Sequence, residues 1–490
     1  MVMKAATALL TLAAVLAASA SLEAPQLCLN STAGGLQCRC TVSLTELALH
    51  QWAVDCSSRD ISALPQAWNI SQVAQDLDLS RNKLSSLRSE QFSPWGNLEK
   101  LSLARNEFTA LNEDAFVGLS NLRLLDLSHN SLATLPPKIF NGLSVLSVIN
   151  LENNRLQELS PQLFSVTPHL NALKLSYNPG LGKFLIQSPG FLTVALQKNL
   201  TSLEMNSMNI DTIPNDLFNE AAHLHHLSLA DNPLKIIDFL PPTLESLNLS
   251  GINMTMLTAG SFIAYPNLKR LQLDRLTNLT EVEVNAFEGL TSLEVLTMEN
   301  CVQLHKFDEL AFGEPDSKAV PLRHLSLARA GLHTLSPKTF LLLEATLEHL
   351  NLQGNPWRCD CKLAWLRQLN FSLEDTGYLR CFYPDEHHNR LLLSMDPKDF
   401  VCTSPHTDAI NTKLIILDVF IVLLALGVAS SILVIMWRRR CMPCVRRQTV
   451  GKYSHVTIEP NRAELEWDDK DLDHIWSTPN ANRPTAPRGS

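Results

Sequence analysis

Leu98-x-x-Leu101-x-Leu103-x-x-Asn106-x-Phe108 returns as Leu122-x-x-Leu125-x-Leu127-x-x-Asn130-x-Leu132, and again as Leu146-x-x-Ile149-x-Leu151-x-x-Asn154-x-Leu156. Followed outward in both directions, the phrase recurs twelve times, with its central residue at Leu77, Leu101, Leu125, Ile149, Leu173, Leu203, Leu227, Leu247, Leu271, Leu296, Leu325 and Leu350. Most steps are 24 or 25 residues; Leu227 to Leu247 is 20, and the steps into Leu203 and Leu325 are 30 and 29. A unit this short cannot bury its own apolar face, so successive units must stack around a shared interior. Length changes that spare the apolar positions belong in loops on the outer side.

The Leu-x-Leu alternation has the period of a strand with one buried face. Strands of successive units pair in parallel about 4.8 Å apart, so twelve of them trace an arc of roughly 50–60 Å. A phenylalanine recurs on the return path at Phe92, Phe116, Phe140, Phe164, Phe218, Phe262, Phe287 and Phe340, which predicts a stacked aromatic spine. The bulkier return side curves the stack and leaves its strands on the concave face. The asparagine of the phrase both donates and accepts, so it can satisfy buried backbone groups of neighbouring turns. Asn82, Asn106, Asn130, Asn154, Asn178, Asn232 and Asn355 fit such a ladder, whereas Met208, Ile252, Leu276, Cys301 and Ala330 interrupt it.

This pattern resembles the leucine-rich repeat family over roughly residues 28–402. The resemblance implies an α/β solenoid: a curved leucine-rich repeat horseshoe with a parallel concave sheet, here of twelve repeats over 73–355. It also makes Cys301 a buried, unreactive thiol. Two groups of four cysteines flank the array, Cys28, Cys38, Cys40 and Cys56 before it and Cys359, Cys361, Cys381 and Cys402 after it. An open stack needs capped ends, which places cysteine caps over 21–72 and 356–402. The run Pro356-Trp357-Arg358-Cys359-Asp360-Cys361-Lys362-Leu363-Ala364-Trp365-Leu366 is similar to the C-terminal cap of extracellular leucine-rich repeat proteins. That similarity implies the pairs Cys359–Cys381 and Cys361–Cys402. Four cysteines in the front group permit three pairings.

The first twenty residues have the form of an export signal, with Lys4 ahead of the apolar Ala5–Ala18 and the small-x-small site Ala18-Ser19-Ala20. Export sends the cysteines to an oxidising compartment, where disulfides outcompete zinc as a reading of Cys-x-Cys. Seven sites fit the Asn-x-Ser/Thr rule: Asn30, Asn69, Asn199, Asn248, Asn253, Asn278 and Asn370. Asn248 flanks a central leucine, so a glycan there would stand on the concave sheet. After a stalk over 403–413, residues 414–437 form an apolar run with Asp418 as its one charge, about 36 Å long as a helix. Arg438, Arg439 and Arg440 follow, so the carboxyl end, 438–490, faces the cytoplasm. The expected topology is single-pass type I in the plasma membrane.

An intramembrane carboxylate at Asp418 is a candidate contact for a membrane partner. Cys441 and Cys444 are juxtamembrane candidates for acylation, and Tyr453-Ser454-His455-Val456 resembles a Tyr-x-x-hydrophobic internalisation signal. The tail is too short for the signalling domain of Toll-like receptors and reads as disordered.

The chain has 490 residues and a formal net charge of −9. The tail after Trp437 carries +3, the apolar run −1 and the leader +1, leaving about −12 outside. An acidic exterior argues against nucleic acid as a partner. No phosphate loop, nucleophile elbow or His-Glu-x-x-His is present, so neither an enzyme nor a cofactor is expected. What is left is a large open surface. Its early part presents Arg105, Arg123, Asp126, His129, Asn150, Lys174 and Tyr177, with no glycan acceptor in its strands. Tyr177 is the expected anchor, since aromatics concentrate binding energy. The sequence thus points to a cell-surface recognition or adhesion receptor that binds an extracellular protein on the concave face. An auxiliary membrane subunit or co-receptor, and a decoy or endocytic receptor, are the alternatives.

Overall fold

The computed structural model describes residues 38–44, 50–65, 74–188, 190, 192–196, 199–314, 318, 320–368, 372–373, 376–402 and 419–435. It divides into two units, Met1–Thr403 and Ser404–Ser490.

The first unit is built on a 15-stranded sheet. It begins with an antiparallel hairpin, Arg39–Leu44 against His50–Asp55, and every later pairing in it is parallel. The repeat strands run from Ala74–Asp78 to His349–Asn351, and a short strand, Ser372–Leu373, follows them. The twelve central residues stand opposite one another in unbroken register, Leu77 against Leu101 through to Leu325 against Leu350. All are buried, because a slip of one residue would turn the whole leucine set to solvent.

The irregular steps are absorbed outside the strands. The 30-residue step into Leu203 carries two helices, Pro179–Gln187 and Thr193–Leu196. Gly182 in the first of them lies so close to the next repeat that an added Cβ would sit 2.0 Å from the Met208 carbonyl oxygen. On the return side, Met256–Leu257, Glu281–Val282 and Lys306–Phe307 form a second, three-stranded parallel sheet.

The phenylalanines stack between repeats: Phe92 on Phe116 at 6.5 Å, Phe140 on Phe164 at 6.4 Å and Phe262 on Phe287 at 6.0 Å. The asparagine ladder is hydrogen-bonded as its chemistry requires. Asn106 Nδ2 donates to the carbonyls of Leu79 and Leu103, both at 3.0 Å, and its Oδ1 accepts from Leu84 N at 3.1 Å. Cys301 substitutes weakly, its thiol lying 3.2 Å from the Leu273 carbonyl; burial pushes its pKa up to about 12, so it is an inert thiol at neutral pH.

At the front, Cys38 bonds to Cys56, with Cα atoms 4.4 Å apart. Cys40 is also disulfide-bonded. At the rear, Cys359 bonds to Cys381 and Cys361 to Cys402, the pairs the resemblance implies.

The described part of the second unit is a helix over 419–435, about 25 Å long at 1.5 Å per residue. Among the described residues no helix is long and apolar enough to cross a membrane.

Candidate ligand-binding face

Short strands leave the sheet face to a few columns of side chains. In the early repeats the residues on either side of the central leucine are at least partly exposed, and beyond the strand comes the residue just before the ladder position. That last residue is left-handed in repeat after repeat: Arg81, Arg105, His129, Asn153 and Tyr177 have φ between 53° and 60°. A left-handed residue is needed there because the chain must turn sharply into the buried asparagine while its own N–H still reaches the next repeat. Arg105 N donates to Ser128 O and Tyr177 N to Asn206 O.

The seven residues singled out in the sequence separate into three groups. Arg105 and His129 belong to the left-handed column. Arg105 Nη2 lies 3.2 Å from His129 Nε2, and Asn153 Nδ2 lies 2.9 Å from His129 Nδ1. A guanidinium only donates, so in that contact Nε2 is a bare acceptor and the ring is neutral. The electrostatics agree: burial, then the Arg105 charge, hold His129 below the usual histidine range, with Arg81 adding to Arg105 and Asp126 opposing. Tyr177 follows in the same column, 51% exposed.

Asp126, Asn150 and Lys174 lie in the column after the central leucine. Asp126 Oδ1 accepts from Ser128 N at 2.9 Å and Asn150 Oδ1 from Glu152 N at 3.1 Å. Both thus close their own turns as well as facing outward. Lys174 Nζ pairs with Glu204 at 2.8 Å. Burial draws the Lys174 amine down, but Glu204, Glu152 and Asp126 outweigh it and raise its pKa above the ordinary range. Glu152 is raised by burial and by the nearby Glu204. Arg123 stands apart, just ahead of the strand Leu124–Asp126, with Nε 3.7 Å from Glu99.

On the near side of the central leucines, Leu124, Val148 and Ala172 stand side by side and half-exposed. An apolar row, followed across the sheet by an ion-paired column and then an aromatic, is the composition of a protein-binding patch. Arg81, Asn153, Leu124, Val148 and Ala172 escaped the sequence reading, although counting back one residue from each ladder asparagine, or one from each central leucine, would have found them.

Farther along, Asp231 and Arg275 pair through Arg275 Nη2, 2.9 Å from both carboxylate oxygens. They reach across Gly251, where a Cβ would sit 2.1 Å from Asp231 Oδ1. His324 and His349 are paired neighbours in the sheet, their rings 6.1 Å apart.

Asn248 is part-exposed on the sheet, its Oδ1 accepting from Ser250 N at 3.0 Å. Asn199 and Asn278 are exposed; their Nδ2 atoms donate to Pro168 O at 3.1 Å and to Asn253 Oδ1 at 2.6 Å. Asn30, Asn69, Asn370, Cys28, Asp418, Cys441, Cys444, Tyr453 and Val456 lie outside the described residues.

Concavities of about 580 and 490 Å³ lie away from this patch, one beside Phe307, Pro337 and Trp365 and one beside Leu111, Leu135 and Phe184. Among the described residues, the one grouping of three metal-capable side chains is Asp360, Cys361 and Cys402; both cysteines are already bonded to each other.

Register, ladder, spine and bonded caps define a leucine-rich repeat solenoid of the extracellular type. A leucine rich repeat family model matches residues 74–132, 121–179 and 242–302. Trophoblast glycoprotein of Macaca fascicularis is 24% identical to it over 298 residues, 54% of this chain and 66% of that protein. Transforming growth factor beta activator LRRC32 of Mus musculus is 31% identical over 198 residues, 34% of this chain and 29% of that protein. The chain thus spans less than two thirds of either relative. A chain in the structure of the Toll - Spatzle complex of Drosophila is 22% identical, with 70% of this chain and 57% of that one covered and a TM-score of 0.44.

Proposed function

We propose that this chain is a cell-surface recognition protein that binds an extracellular protein through the sheet face of its early repeats. The observation that carries this reading is the contiguous patch of Leu124, Val148 and Ala172 beside the Lys174–Glu204 pair and exposed Tyr177. It is open, mixed in polarity and free of glycan acceptors in its own strands. Relatives named as a glycoprotein and as a growth factor activator accord with work at the cell surface.

The anchor in this reading is residues 414–437. Within that run, 419–435 are helical and exposed on every side. The hydroxyls of Ser430 and Ser431 both donate to Gly427 O at 2.8 Å, so these polar groups are satisfied inside the helix as a lipid setting demands.

Tyr177→Ala tests the binding face. With the full chain displayed on cells, loss of an anchoring aromatic weakens partner binding by about 2 kcal/mol or more. Ile263→Ala, at an exposed site on the return side, leaves binding unchanged. Equal effects of the two substitutions would refute the assignment.

A further inference from the structure

The array pairs most of its cations along the sheet with a carboxylate of the neighbouring repeat: Lys100 with Asp76, Arg123 with Glu99, Lys174 with Glu204, Lys269 with Glu245 and Arg323 with Glu348. Arg275, in the left-handed column, has Asp231. Arg81 and Arg105 break this pattern. They are exposed, they follow one another on that same column, and among the described residues no carboxylate pairs with either. Arg81 N donates to Ala104 O, which fixes the two backbones side by side.

Their positive charges therefore stand on adjacent coils without a paired carboxylate, and the fold supports one of them from behind. His129 takes a hydrogen bond from Arg105, and Asn153 holds His129 from the other side. The combined field of Arg105 and Arg81 helps keep that histidine neutral, so no third cation forms and Arg105 keeps its acceptor. The result is a guanidinium pre-oriented by two repeats behind it, beside a second one. Pre-organisation of this kind lowers the cost of forming a bidentate contact.

Resting on the reading of this face as a protein-binding surface, we propose that Arg81 and Arg105 form an anion site for carboxylates of an acidic peptide segment. The segment lies along the left-handed column, with its apolar side chains toward Leu124, Val148 and Tyr177. The size of the site favours a peptide over a sulfated polysaccharide. Two arginines match carboxylates one to one, whereas the denser charge of a sulfated polysaccharide leaves more groups to meet the nearby Asp126, Glu152 and Glu204.

The test uses the full chain in nanodiscs and a fluorescent hexaglutamate peptide, with hexaglutamine and a heparin hexasaccharide as comparators, read by anisotropy at low salt. Hexaglutamate is expected to bind, hexaglutamine not. Arg105→Ala and Arg81→Ala should each weaken the hexaglutamate affinity about tenfold and flatten its salt dependence. Arg329→Ala, farther along the column, should change neither. Absence of binding, binding indifferent to Arg81 and Arg105, or tighter binding of the heparin fragment at these arginines would overturn the proposal. If hexaglutamate fails while Tyr177→Ala still strips the cell-surface partner, the anion assignment falls and the binding face stands.

Discussion

Asn130→Ala is expected to destabilise the repeats on either side of it by about 3–5 kcal/mol, several buried backbone groups losing partners at about 1–3 kcal/mol each. The amide is 9% exposed and serves four backbone groups. Nδ2 donates to Leu103 O at 3.1 Å, to Leu127 O at 3.0 Å and to Ser128 O at 3.2 Å, while Oδ1 accepts from Phe108 N at 3.2 Å. Those carbonyls belong to two repeats and the N–H to the earlier one, so the side chain ties adjacent coils together. Alanine removes every partner and leaves no polar atom to replace them. Solenoid stability is a sum of local and nearest-neighbour terms, so the loss should appear as faster amide hydrogen exchange in the coils around Leu103 and Leu127, with the rear repeats unaffected. The comparison that isolates the cause is Cys301→Ala, at the same ladder position, where two weak thiol contacts, to Leu273 O and Glu299 O, are lost instead of four amide hydrogen bonds. Equal costs for the two changes would refute the role given to the ladder.

Phe287→Ala attacks the other side of the coil and should cost about 3–5 kcal/mol, the range for truncating a buried aromatic. Phe287 is 0% exposed. Its ring stacks on Phe262 at 6.0 Å, on Phe312 at 5.2 Å and on Phe307 at 6.2 Å. Its N–H also donates to Ala311 O. One ring therefore joins three consecutive coils beneath the small return-side sheet, and the cavity left by alanine would be lined by its former stacking partners. Phe287→Leu, which retains most of the apolar volume, should recover much of the loss. Urea unfolding of the detergent-solubilised full chain reads both variants; a shift below about 1 kcal/mol for the alanine variant, well under the usual cost, would contradict the spine.

The strands were legible because each required feature lies within eleven residues of sequence. Leucine at alternating positions sets the buried face, and a fixed period carries it from Leu77 to Leu350. The return-side sheet was not legible, since its strands are two residues long. Val282 and Val284 alternate with Glu281 and Glu283, but so short a stretch cannot outweigh the loop signals around it. The binding face was legible only in part. The sequence brought forward Arg105, His129 and Tyr177 by type, but a left-handed backbone under arginine, histidine or tyrosine has no residue signature. Their alignment with Arg81 and Asn153 therefore emerged only in three dimensions. Asp126 and Asn150 illustrate the converse: they face the surface, yet each closes its own turn with Oδ1.

Val148 stands at the centre of the apolar row on the sheet, and exposed Ile263 stands on the return side. The most direct measurement installs a photo-reactive amino acid at one or the other position in the full chain on living cells and compares the covalent adducts. Partner adducts should form from position 148 and not from 263. Adducts from 263 alone would place the partner on the return side and contradict recognition through the sheet.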